Sequence, residues 1–199
     1  METMVLFGIV WVVFTVLIVI FNDRRATLAL LALNLTVAAF LLTESDLTGA
    51  LTKATLGIAS PAIILVALAR TRQPQRKFGV PLLVVVSLVT LALSYAVAFS
   101  LRSQIPEGRM TESHFLIMLF GIAFLVIVSQ ESLMKLLLGI LMLEDIGTLL
   151  LGWGANAALF ALVEEAFIVL ITFTIAFIAV KSFAECGTID TSKMTRLRG

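Results

Sequence analysis

The sequence predicts an all-α integral membrane protein with about seven transmembrane helices, the N-terminus outside and the C-terminus cytoplasmic. Three observations carry that expectation. Of 199 residues, 60% are hydrophobic and 14% charged, with a mean hydropathy of +1.11, whereas a soluble domain is about 45–50% apolar and about 25% charged. The apolar residues gather in seven runs, most of them near the ~20 residues that a helix needs to cross a hydrocarbon core of ~30 Å. The runs are apolar all round, which excludes barrel strands, whose residues alternate over about 10 positions. Composition also excludes disorder, because so apolar a chain collapses. With 14 basic and 13 acidic residues the net charge is +1, so no bulk field for nucleic acid is expected. Cys186, the single cysteine, has no internal partner for a disulfide.

In chain order, the first run covers residues 5–21 and ends at Asn22-Asp23-Arg24-Arg25. Its start, Met1-Glu2-Thr3, lacks a basic region and no small-residue cleavage site follows, so a retained helix is expected. The second run, 26–42, stops at Thr43-Glu44-Ser45-Asp46, and the third, 50–69, contains Lys53 and Pro61. A basic loop over 70–77 leads to the fourth run, 80–101. The fifth and shortest is centred on 115–128, and Ser129-Gln130-Glu131-Ser132 separates it from the sixth, 133–152. A short turn, Gly152-Trp153-Gly154, leads to the seventh, 155–180, and the tail over 182–199 is polar.

Lys and Arg accumulate on the cytoplasmic side of membrane proteins. Seven crossings place Arg24, Arg25, Arg70, Arg72, Arg76, Lys77, Lys135, Lys181, Lys193, Arg196 and Arg198 on one side, against Arg102 and Arg109 on the other. A miscounted crossing would mix the two groups, so the asymmetry supports both the number of spans and their orientation.

Charges inside a span cost at least ~2.5–3.5 kcal/mol near mid-bilayer, which makes each a functional candidate. The sixth run carries Glu144-Asp145 and the seventh Glu164-Glu165. Glu144 is expected ~18 Å from the cytoplasmic end of its span and Glu165 ~24 Å from Lys181, at 1.5 Å per residue. These are similar depths on two antiparallel helices, so the carboxylates can approach one another or one water chain. Paired carboxylates in a low dielectric repel when both are ionised, so at least one is expected to hold a proton near neutral pH. A proton relay needs such a site. The alternative is interhelical glue, and the relay is favoured for Glu144 and Glu165. Asp145 and Glu164 lie ~100° around their helices from those partners. One of each pair is therefore expected to face a different neighbour, and both roles stay open for them.

Lys53 lies about three residues from the outer end of the third run. It can snorkel to the interface or line a cavity near the break at Pro61, which leaves the Gly57 carbonyl without its helical donor. Lys135 enters the sixth span on the face opposite Glu144, so it is expected to anchor the helix or to meet an acid of another subunit. His114 sits at the outer rim, and Cys186 is a free thiol beside the membrane. A phosphate-binding glycine loop, a Cys/His metal cluster and a nucleophile–His–acid set are all missing from the sequence. No catalytic residue, metal ligand or cofactor is therefore expected in this chain.

The stretch from Phe120 onward holds Leu138-Gly139-Ile140-Leu141-Met142-Leu143-Glu144, Glu165-Ala166-Phe167-Ile168 and Thr188-Ile189-Asp190 before Arg198-Gly199. It resembles the three-helix K-type subunit of respiratory complex I. The whole chain is similar to component E of hydrogenase-4, which adds N-terminal helices before a K-like half. Leu51-Thr52-Lys53 with Pro61 and Ala67-Leu68-Ala69-Arg70, Ser129-Gln130, the run from Lys135 to Glu144, and Gly187-Thr188-Ile189-Asp190 carry that likeness. An ungapped alignment puts the K-type glutamate at Leu141, one turn before Glu144, while Glu144 fits the component E pattern.

The resemblance divides the chain into a four-helix membrane region (1–110), a K-type three-helix region (111–181) and a cytoplasmic tail (182–199). It implies a non-catalytic membrane-arm subunit of a complex I-related, hydrogenase-4 or formate hydrogenlyase-type assembly in a prokaryotic cell membrane. Antiporter-like and other membrane-arm subunits would be its partners, with nickel–iron and iron–sulfur centres held by partner subunits. Glu144, Glu165, Asp145, Glu164, Lys53 and Lys135 would belong to a pathway for protons or sodium. Two alternatives remain: a small subunit of a multi-subunit cation/proton antiporter, or a free-standing proton-coupled transporter. The second lacks the matched halves with broken helices that such transporters show.

Overall fold

A computed structural model describes residues 2–44, 46–71, 79–102, 110–129, 132–151 and 157–190. Arg72, Arg76, Lys77, Arg109, Lys193, Arg196 and Arg198 of the orientation count lie outside the described residues. So do Gln130, Glu131, the turn at 152–154 and the terminal Gly199. Among the described residues the chain forms seven helices, α1 Glu2–Ile20, α2 Asp23–Thr43, α3 Leu47–Ala69, α4 Val80–Ser100, α5 Met110–Ser129, α6 Leu133–Leu151 and α7 Ala157–Cys186. Five of them contain stretches long and apolar enough to cross a membrane: Thr3–Ile20, Asp23–Thr43, Leu47–Ala69, Val80–Ser100 and Leu162–Cys186. α5 offers the shorter apolar stretch Ser113–Ser129, and α6 carries Lys135, Glu144 and Asp145 within nineteen residues.

Local chemistry accounts for the ends. Asn22 caps α2, its side-chain oxygen accepting from the Arg25 backbone N–H at 3.2 Å, and Asp46 caps α3 by accepting from the Gly49 N–H at 2.8 Å. Such caps satisfy donors that the first helical turn leaves open. Pro81 stands in the first turn of α4, where its missing N–H costs nothing. α7 stops at Gly187, whose φ of 69° is the left-handed conformation that ends helices. It runs six residues beyond the apolar run ending at 180: Phe183 still packs on the core, and the exposed Lys181 and Glu185 lie 3.9 Å apart as an i,i+4 pair.

Packing joins both halves of the chain. α3 lies between α2 and α7, α6 touches α5, α7 and α2, and α1 packs on α2, α5 and α4. Small residues let the backbones approach, as in other membrane bundles. Gly121 of α5 has no room for a side chain against Ser94 of α4, and Gly139 of α6 has none against Ile127 of α5. α4 is the plainest case of an inverted helix. Its buried residues are Ser87, Ser94 and Ala98, while Val85, Leu88 and Leu93 are more than half exposed. In water this face would be a large hydrophobic penalty; against lipid it carries none. The pattern is that of a multi-pass membrane protein.

At the end opposite the α2–α3 connection, the segment after α7 folds back onto the start of α6. Ile189 is fully buried, its carbonyl accepts from the Leu133 N–H at 3.4 Å, and Ser132 and Asp190 pair as an isolated bridge. The Ser132 hydroxyl also donates to Asp23 at 2.8 Å, tying this clasp to the first turn of α2. The Thr188-Ile189-Asp190 segment thus has a packing role at this end of the bundle.

Candidate functional site

The site is built around Lys53, seven residues into α3 and 1% exposed. Its ammonium lies 2.6 Å from Glu144 Oε2, 2.5 Å from Asp145 Oδ1 and 2.7 Å from Glu165 Oε1. It donates to both oxygens of Glu144, at 2.8 and 2.6 Å, and Glu144 Oε1 accepts a further bond from the Thr148 hydroxyl at 2.9 Å. All three acids are buried. The three helices supply the cluster at one level: Lys53 lies ~9 Å past the start of α3, Glu144 ~10 Å before the end of α6 and Glu165 ~12 Å past the start of α7. Lys53 is therefore enclosed and does not snorkel to the interface.

Backbone chemistry holds the lysine in place. Pro61 cannot donate to the Gly57 carbonyl, and the Asn34 amide of α2 donates to that oxygen instead, at 2.5 Å. A Cβ at Gly57 would meet Lys53 Cδ at 3.2 Å and Asn34 Nδ2 at 3.4 Å, so glycine leaves the lysine its path along the helix. Asn34 was not a candidate from sequence, because a single amide in an apolar run reads as an ordinary polar insertion. Its signal is the spacing of Gly57 and Pro61, which creates an acceptor in need of a donor.

The structure brings together Lys53, Glu144, Asp145 and Glu165. Glu144 and Asp145 share one partner, although adjacent residues point ~100° apart on a helix. The long lysine side chain reaches the space between them, which relative depth along a helix does not reveal. Glu164 remains apart, partly exposed. One of its carboxylate oxygens would be 3.2 Å from a Cβ at Gly147, and the other is buried without a hydrogen-bond partner among the described residues. Lys135 is ~13.5 Å along α6 from Glu144, and its ammonium donates to the carbonyls of Val19 and Phe21 at 2.9 and 2.8 Å. It anchors the end of α1, where a cation suits the exposed carbonyls. His114 bonds through Nδ1 to the Met110 carbonyl at 2.5 Å and packs beside Tyr95 with centroids 5.8 Å apart. Cys186 is an exposed free thiol.

Two hydroxyls extend the polar character along the α3–α7 contact. Ser60 and Thr172 are buried and lack hydrogen-bond partners among the described residues. Each stands seven residues, ~10.5 Å, beyond Lys53 and Glu165 on the same helix faces. No group of three or more His, Cys, Asp or Glu side chains among the described residues is arranged to hold a metal ion.

The fold and site define a class: a multi-helix chain of membrane type whose interior contains one lysine surrounded by three acids. Comparisons with protein-family models, with curated proteins and with solved structures find no match for this chain.

Proposed function

We propose that the chain is a non-catalytic membrane-arm subunit of a complex I-related, hydrogenase-4 or formate hydrogenlyase-type assembly. In this reading it crosses a prokaryotic cell membrane seven times, with its N-terminus outside and its C-terminus cytoplasmic. Its work is to contribute carboxylates to a proton (or sodium) pathway coupled to electron transfer in partner subunits, which hold the nickel–iron and iron–sulfur centres. Antiporter-like subunits and membrane lipids surround it.

One observation carries the reading: a single ammonium shared at 2.5–2.7 Å by three buried carboxylates. One positive and three negative charges balance only when two protons or other cations join them, and charge imbalance is expensive in a membrane interior. A cluster that must hold exchangeable protons, on helices that pack together, suits a relay. Glu144, Glu165 and Asp145 are the loading sites, Lys53 is the fixed counter-charge, and Glu164 is the acid nearest the periphery of the helix pair. Lys135 supports the pathway through the helix end that it anchors.

The test is Glu144→Gln combined with Glu165→Gln in the intact membrane assembly. The variant is expected to assemble and to keep electron transfer while losing cation translocation. Translocation at the wild-type rate would refute the relay. Solubilised wild-type protein should migrate in a large complex containing nickel and iron. A large complex without either metal would replace the reading with a cation/proton antiporter subunit, and substrate transport by the chain alone would replace it with a free-standing transporter.

A further inference from the structure

The end of the bundle where α1 and α5 begin and α4 ends holds a cavity of about 560 Å³, away from the Lys53 cluster. Its size lies within the ~300–1,000 Å³ of small-molecule sites. Arg102, just past α4, and Thr111, in the first turn of α5, line it at the helix ends, with His114 one turn further in. Deeper in, Phe115 and Met118 of α5 line it with Val5 of α1, Met118 standing ~10.5 Å along α5 from Thr111. Phe115 is held against α1, because a Cβ at Gly8 would come within 2.5 Å of its ring and only glycine leaves it that place. Tyr95 and Phe99 of α4 also line the cavity and are more than half exposed, so it opens toward the lipid that covers this helix. Polar at the helix ends and apolar within the span, the cavity has the polarity of a lipid molecule.

The polar groups narrow the headgroup. The side chains of Arg102 and Thr111 make no hydrogen bond or ion pair among the described residues, so a cation and a hydroxyl are available to an acceptor. His114 differs. Its Nδ1 lies 2.5 Å from the Met110 carbonyl, which can only accept, so Nδ1 carries the hydrogen and Nε2 of the neutral ring is left to accept. We infer that this cavity binds one anionic phospholipid whose headgroup carries a hydroxyl, as in phosphatidylglycerol. Arg102 and Thr111 donate to the phosphodiester, a charge-assisted contact. His114 Nε2 accepts from the headgroup hydroxyl, and the start of an acyl chain lies along Phe115, Met118 and Val5. A choline headgroup offers His114 no donor and sets a second cation beside Arg102. The site rests on the membrane-spanning character of the fold and is independent of the relay.

The test places a tryptophan in the cavity of the full chain with Phe99→Trp. The protein is reconstituted in phosphatidylcholine bilayers containing a minor fraction of one lipid with brominated acyl chains, which quench tryptophan on contact. Quenching beyond that of the wild-type chain reports this site. Brominated phosphatidylglycerol is expected to bind about tenfold more tightly than brominated phosphatidylcholine, as for a hydrogen bond to a charged group. Adding Arg102→Gln should remove that preference. Adding His114→Leu should keep the preference over phosphatidylcholine but make phosphatidylglycerol equal to phosphatidylmethanol, which is anionic without a hydroxyl. Inorganic phosphate should not relieve the quenching. Equal quenching by phosphatidylglycerol and phosphatidylcholine overturns the site, as does a preference unchanged by Arg102→Gln. Equal binding of phosphatidylglycerol and phosphatidylmethanol before His114 is changed overturns the choice of headgroup, and displacement by inorganic phosphate overturns the lipid as the occupant.

Discussion

Replacing Lys53 by methionine keeps most of the side-chain length and removes the one positive charge that three acids share. Deleting one partner of a buried ion pair costs about 3–5 kcal/mol, because the other charge is left uncompensated. Here three carboxylates stay behind around a position 2.5–2.7 Å from each. Their mutual repulsion adds to the loss until protons relieve it. The expected destabilisation of Lys53→Met is therefore at least ~3 kcal/mol, about a 100-fold change in the folding equilibrium. Glu144→Gln, Asp145→Asn and Glu165→Gln each leave the ammonium with two acids, so each should cost less than Lys53→Met. Adding any one of them to Lys53→Met removes a stranded charge and should recover part of the loss, with a coupling of about 0.5–3 kcal/mol. Unfolding of the full chain in mixed micelles, driven by a rising fraction of denaturing detergent and followed by far-ultraviolet circular dichroism, measures all of these. A Lys53→Met protein that unfolds at the wild-type midpoint, or one less damaged than Glu144→Gln, would refute the shared-lysine geometry.

The same titration tests the support around the lysine. Asn34→Leu strands the Gly57 carbonyl and should cost about 1–3 kcal/mol; in a Pro61→Ala background the restored backbone N–H should make the same substitution clearly milder. Gly121→Leu forces a side chain into Ser94 at the α4–α5 contact, and a loss of about 1–3 kcal/mol is expected from overpacking. Ile189→Ala empties a fully buried position in the clasp after α7. It should speed proteolysis near residue 187 while helical content stays at the wild-type level.

Seven helices were legible because apolar runs separated by polar breaks have one regular solution in lipid. Their ends were less so, and α7 shows why. Lys181 and Glu185 look like the start of a polar tail, yet they lie one helical turn apart on a helix that runs on to Cys186, with Phe183 between them packed on the core. The acids were legible for an energetic reason: Glu144 and Glu165 interrupt otherwise apolar runs. From sequence Lys53 fits snorkelling and cavity-lining equally, because its distance from the helix end says nothing of which neighbours surround it. Helical angle alone separates Asp145 from Glu144, and it neglects the reach of a lysine side chain. Asn34 needed a partner 23 residues away in sequence before its amide acquired a purpose.

The polar interior divides into two kinds of contact. Asn34 with Gly57, Ser132 with Asp23, and Lys135 with the carbonyls of Val19 and Phe21 match donors to acceptors at one helix junction each. Such contacts join helices. The Lys53 cluster is built otherwise. An interhelical staple needs one acid for its lysine, and apolar residues of similar volume often stabilise as well as a buried pair. Two additional carboxylates only increase the desolvation cost, and Asp145 Oδ2, Glu165 Oε2 and Glu164 Oε2 still lack hydrogen-bond partners among the described residues. Stability alone gives no reason to retain that excess. Proton exchange does, because an oxygen without a fixed donor is where a mobile proton can reside. The glue and relay readings therefore part on Glu165→Gln: the amide keeps the packing and much of the hydrogen bonding, so a staple would tolerate it, whereas a relay loses a site that can load and release a proton.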